Sequence, residues 1–91
     1  MNLEVFDLRE SAESVLRKTQ VLAEESGAKS LLLAPKEALL VRADAFRIDE
    51  VLMNYVSNAY HHVSEGGEVR LSLRVEGERA HCEVFNSGKP I

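Results

Sequence analysis

From Ala45 to about Ser64 the apolar residues gather on one side of a helix and an unusual polar set gathers on the other. At about 100° per residue, Ile48, Leu52, Tyr55, Val56, Ala59 and Val63 form one stripe, and Glu50, Asn54, Asn58 and His61 lie opposite within an arc of about 80°. The stripe predicts burial against a core. The polar side is not filled with the Lys, Glu, Arg and Gln that favour an exposed helix; Asn is a mediocre helix former because its short side chain competes for nearby backbone groups. Asp44 stands where an N-cap belongs.

The rest of the chain reads as elements around this helix. Leu3 and Val5 alternate with Glu4 and Phe6, as in a short strand or the approach to a helix. Asp7 followed by Glu10 opens a helix, and Leu8, Ala12, Val15, Leu16, Leu22 and Ala23 carry it to about Ser26, with Gly27 placed to end it. Ser30 to Ala34 and Ala38 to Ala43 are apolar runs joined by Pro35-Lys36-Glu37, which predicts a hairpin. After the Glu65-Gly66-Gly67 turn, Val69, Leu71, Leu73 and Val75 alternate with polar residues, and Glu76-Gly77-Glu78 leads into a second alternating run, Arg79 to Phe85. The order β-α-β-β-α-β-β predicts an α+β, two-layer sandwich: two helices on one face of a mixed, mostly antiparallel sheet, with Arg70 and Arg74 on the other face.

Composition narrows the setting. The 91 residues suffice for one small domain, and the net charge of −4, with both signs interspersed, provides no basic stripe for nucleic acid. The single cysteine, Cys82, fits a reducing compartment and, alternating with Ala80 and Val84, is expected in the core. No apolar run approaches the roughly 20 residues of a membrane span, and the start lacks the basic and apolar regions of a signal peptide. A cytoplasmic setting is expected, with no membrane segment in the chain.

The polar face carries the sharpest chemistry. Asn carbonyl oxygens are hard, neutral ligands suited to Mg²⁺, which keeps several waters and takes further contacts from substrate phosphates; a His beyond them can donate to a phosphate oxygen. The alternative is a solvent face that happens to hold Asn. Asn86-x-Gly88 follows a strand, where Gly lets backbone approach a ligand and Asn offers a donor and an acceptor to a base edge; an ordinary loop reads the same way. His81 and Cys82 point to opposite faces of a strand, and neither they nor His61-His62 have zinc-site spacing. Neither a nucleophile motif nor a phosphate-binding glycine loop occurs.

Taken together, VRADAFRIDEVLMNYVSNAYHHVSEGGEVRLSL and the closing VFNSGKPI resemble the ATP-binding domain of two-component sensor histidine kinases over essentially the whole chain. The resemblance implies that Asn58 coordinates Mg²⁺ at the ATP phosphates and that Asn54 assists there. Glu50 would act catalytically, orienting water or the outer shell of the metal. His61 would contact phosphate and His62 would lie against adenine. Asn86 stands in place of the family's adenine-binding Asp, Gly88 matches the first Gly of that box, and Pro90 replaces the second. It further implies that residues 1–91 are the N-terminal portion of such a domain, without its ATP lid and later strands, and inactive alone. The parent would be attached to a membrane, and its partners would be ATP, a histidine-bearing dimerisation domain and a response regulator. A serine kinase of the anti-sigma type and a non-catalytic interaction module of the same fold are the alternatives.

Overall fold

A computed structural model describes residues 2–87. The elements are β1 (Glu4–Asp7), α1 (Leu8–Lys18), α2 (Gln20–Ser26), β2 (Lys29–Leu33), β3 (Leu40–Ala43), α3 (Ala45–His62), β4 (Glu68–Glu76) and β5 (Arg79–Asn86). The expected α+β two-layer arrangement is present. Strands β2, β4 and β5 form one sheet in that order, with β2 parallel to β4 and β5 antiparallel to it, while β1 and β3 pair antiparallel in a second. On β4, Val69, Leu71 and Leu73 are buried, and with Leu52, Val56, Ala59 and Tyr60 of α3 and Leu8, Ala12 and Val15 of α1 they make the core. Arg70 lies over the Phe85 ring and Arg74 pairs with Glu83, both from the alternate β4 positions, as expected. Among the described residues no helix is long and apolar enough to cross a membrane.

The pairing differs from the expected first hairpin. Although β2 and β3 are both apolar and close in sequence, β2 pairs with β4 and β3 with β1. The connection between them is held by the start of α1 instead. Asp7 Oδ1 accepts from the Arg9 amide at 3.0 Å, capping the helix, and from the Leu39 amide at 2.9 Å. The Leu8 amide donates to the Leu39 carbonyl at 2.8 Å, and the Arg9 guanidinium donates to the carbonyls of Pro35 and Lys36. These bonds draw residues 35–39 across to α1, so the chain enters β3 beside β1.

The first helix is also interrupted. Thr19, with only 1% of its surface exposed, donates its hydroxyl to the Val15 carbonyl at 2.8 Å and to the Leu16 carbonyl at 3.3 Å, while its backbone takes φ −98° and ψ 8°. A Thr side chain that bonds back to the preceding turn bends a helix. The kink lets Ala12 and Val15 before it and Ala23 after it all reach the core. Gly27 ends α2 in the left-handed conformation, φ 70°, as its position predicted.

Candidate functional site

Helix α3 begins at the expected cap, where Asp44 Oδ1 accepts from the Arg47 amide at 3.3 Å, and runs for 18 residues. Leu52, Val56 and Ala59 face the core; Glu50, Asn54, Asn58 and His61 are exposed. The centre of the buried side is rotated from the predicted stripe. Tyr60, 4% exposed, is inside, and Tyr55, 62% exposed, is outside. Helical geometry explains the exchange, since Tyr55 lies about 60° around the helix from Asn58, on the shoulder between the core and the polar face.

That shoulder meets β5. Cys82, Val84 and Asn86 share one face of the strand, because alternate residues point the same way. Tyr55, Asn58 and Ala59 of α3 stand over them, and the six side chains line an open cleft of about 290 Å³. Asn58 and Asn86 therefore come from distant parts of the sequence into one concavity. Together they offer two amide groups, each both donor and acceptor. Tyr55 contributes a ring and Val84 an apolar surface. Sequence reasoning assigned Tyr55 and Cys82 to the core; both border the cleft, and Cys82 is an exposed free thiol. Only the shoulder position of Tyr55, about 60° around the helix from Asn58, offered a signal. Burial of its surroundings nevertheless lifts the Cys82 thiol pKa above its ordinary 9.0.

The other predicted residues lie outside this cleft but on the same helix. At 1.5 Å rise per residue, Asn54 is about 6 Å and Glu50 about 12 Å along the axis from Asn58, toward the N-terminus. His61 and His62 occupy the last turn of α3 and are exposed. Gly88 and Pro90 lie outside the described residues. A second, larger groove of about 610 Å³ runs between β3 and the tip of the β4–β5 hairpin, lined by Leu39, Val41, Ile48, Val75 and Ala80. It contains none of the predicted polar residues, so the smaller cleft is the better site for chemistry.

The donor set fits a magnesium nucleotide. Asn58 presents a candidate oxygen ligand on an exposed helix face, with Asn54 and Glu50 following along the same face, and among the described residues no group of three or more His, Cys, Asp or Glu could hold a metal by itself. Mg²⁺ suits such a face because it binds through one or two protein oxygens and completes its shell with water and phosphate. The cleft beside it, of two amides with an aromatic and an apolar wall, has the chemistry to receive a heterocyclic base.

No family model matches the chain. Sensor histidine kinase MtrB of Mycobacterium tuberculosis is 30% identical over 88 residues, which are 97% of this chain and 15% of MtrB. Adaptive-response sensory kinase SasA of Crocosphaera subtropica is 39% identical over 89 residues, 97% of this chain and 23% of SasA. The chain thus spans less than a quarter of either relative. Among solved structures, the catalytic domain of histidine kinase ThkA superposes with a TM-score of 0.92 at 28% identity, covering 100% of this chain and 62% of that one. ThkA in complex with response regulator protein TrrA gives a TM-score of 0.87 at 28% identity over 98% of this chain and 27% of that one. Full-length ShkA in complex with AMPPNP gives 0.82 at 25% identity over 97% of this chain and 19% of that one. By sequence over nearly all of its length, and by fold over the whole of it, this chain belongs with the catalytic domains of the sensor histidine kinases.

Proposed function

We propose that the chain binds Mg²⁺-ATP between α3 and the end of β5, as the nucleotide-binding part of a kinase that phosphorylates a histidine. The observation that carries this reading is the meeting of Asn58 and Asn86 in one cleft. Asn86 accepts from the adenine amino group through its amide oxygen, while Gly88 allows the backbone close approach. Asn58 gives its oxygen to Mg²⁺, and Asn54 supports the metal or the phosphates from the next turn. Glu50 orients water or the metal's outer shell, His61 donates to phosphate, and His62 lies against the base. Bound Mg²⁺-ATP supplies the γ-phosphoryl group and neutralises charge during its transfer.

The acceptor histidine belongs to a separate dimerisation domain, and a response regulator receives the phosphoryl group next. Support for these partners comes from the ThkA complex with a response regulator, and for the nucleotide from the ShkA complex with AMPPNP. MtrB and ThkA, both histidine kinases by name, favour this reading over a serine kinase of the anti-sigma type. We place the chain in the N-terminal portion of the catalytic domain and its work in the cytoplasm, with the parent protein attached to a membrane.

An NMR titration of the chain with ADP and Mg²⁺ tests the reading. The amides of Asn54, Asn58, His62, Asn86 and Gly88 should shift together with one affinity. Shifts confined to the groove between β3 and the hairpin tip, or none at millimolar ADP, would refute it.

A further inference from the structure

Asn86 is the last residue of β5, and the end of a strand is where fraying would carry it away from α3. The residue after it prevents this. Ser87 donates its amide to the Glu68 carbonyl at 3.0 Å, and its hydroxyl oxygen accepts from the Glu68 amide at 2.8 Å. Its own carbonyl accepts from the Ser64 amide at 3.0 Å, two residues beyond the end of α3. One residue thus ties the strand that carries Asn86 to the start of β4 and to the end of the helix that carries Asn58.

The same junction explains a glycine. A Cβ at Gly67 would collide with the Ser87 hydroxyl and lie 2.9 Å from the carbonyl oxygens of both Ser64 and Ser87. Contacts this short are essentially never tolerated against backbone, so Gly67 is required here for space. Gly67 is itself fixed, donating to the Ser64 carbonyl at 2.8 Å and accepting from the Lys29 amide at 2.9 Å. The Ser87 hydroxyl therefore sits in a cradle closed on several sides by backbone.

We propose that Ser87 is a positioning residue for the nucleotide site, its hydroxyl locking Asn86 at the working distance from Asn58. This rests on the nucleotide reading above for the identity of the ligand, but the lock itself is a property of the free protein. Backbone bonds alone would still pair Ser87 with Glu68. The hydroxyl adds a further bond on the side facing Gly67, which fixes the rotation of the strand end as well as its separation from α3.

The test compares Ser87→Ala and Ser87→Thr with the unaltered 91-residue chain, without nucleotide and then with Mg²⁺-ADP. In Ser87→Ala the Glu68 amide should exchange faster, the side-chain amide resonance of Asn86 should move, and Mg²⁺-ADP should bind about tenfold more weakly, the loss of roughly one hydrogen bond. Ser87→Thr keeps the hydroxyl and should restore the resonance and the affinity to within about twofold. A hydroxyl that merely stabilises the fold would lower the melting temperature of Ser87→Ala while leaving the Asn86 resonance and the affinity unchanged, and that result overturns the proposal. If the unaltered chain binds no Mg²⁺-ADP but the Asn86 resonance responds to Ala and recovers with Thr, the lock is supported and the nucleotide reading falls. An Asn86 resonance indifferent to Ser87→Ala overturns the lock whether or not nucleotide binds.

Discussion

Replacing both Asn54 and Asn58 by Ala should make the nucleotide-free protein more stable and its ligand affinity weaker. Both residues are exposed in the interior of an 18-residue helix, away from the buried side formed by Leu52, Val56 and Ala59. Ala is the better helix former by about 0.5 kcal/mol at each position, so the pair gains about 1 kcal/mol, close neighbours on one face adding only approximately. For a domain of this size that raises the melting temperature by about 4–8 °C. The ligand term has the opposite sign. Nucleotide at about 100 times its dissociation constant stabilises the unaltered chain by about 2.7 kcal/mol, and a variant that has lost the site gains little of it. The melting order should therefore cross: variant above wild type without nucleotide, wild type above variant with saturating Mg²⁺-ADP. Differential scanning calorimetry measures both, and titration calorimetry gives the affinities directly. A variant that melts lower without nucleotide would mean that these side chains hold the fold. Unchanged affinity would remove them from the site.

Leu52 is 3% exposed in the centre of α3, and Leu52→Ala should cost about 2–5 kcal/mol in urea denaturation; an unchanged midpoint would mean the helix faces are misassigned. Asp7→Ala loses a helix cap and leaves the Leu39 amide unpaired, together about 2–4 kcal/mol, whereas Asp7→Asn keeps an acceptor and should lose less than half of that. Equal losses from the two variants would show that charge matters there more than the bonds. With its thiol pKa raised by burial, Cys82 holds less thiolate at pH 8 than an ordinary thiol and should react with iodoacetamide more slowly than free cysteine, the rate climbing as pH rises beyond 9. Faster modification than free cysteine at pH 8 would contradict the desolvated surroundings.

What the sequence disclosed and what it withheld follow the range of the interactions involved. The Asp44 and Asp7 caps, the Gly27 stop and the alternation of β4 are local, and each was legible from residues within a turn or a pleat of one another. So was the division of α3, because the 3.6-residue period separates Leu52, Val56 and Ala59 from Asn54 and Asn58 whatever the rest of the chain does. The period leaves the exact centre of the buried face undetermined, and in the folded chain that face takes in Tyr60 and leaves Tyr55 outside. Strand pairing is non-local. Nothing within residues 30–43 reveals that Asp7 and Arg9 seize the connection between two apolar runs and that the parallel partner of β2 lies beyond α3. Thr19 was hidden for another reason: a polar residue mid-helix reads as surface until its hydroxyl is seen spent on the preceding turn. The meeting of Asn58 with Asn86 was accessible only through family resemblance, since spacing alone cannot bring a helix and a distant strand end together.

The junction around Gly66-Gly67 has a practical consequence for engineering. Besides Ser87, Ser64 and Lys29, it engages Gly27, whose carbonyl accepts from the Gly66 amide at 3.2 Å, so the ends of α2, α3 and β5 and the beginnings of β2 and β4 all register against it. The Gly77-Glu78 turn of the hairpin is also short and glycine-bearing, yet nothing lies within 4 Å of where a side chain on Gly77 would start. Inserted peptides, affinity tags or new chain termini made by circular permutation belong at Gly77-Glu78. The same insertion at Gly66-Gly67 would uncouple five element ends at once.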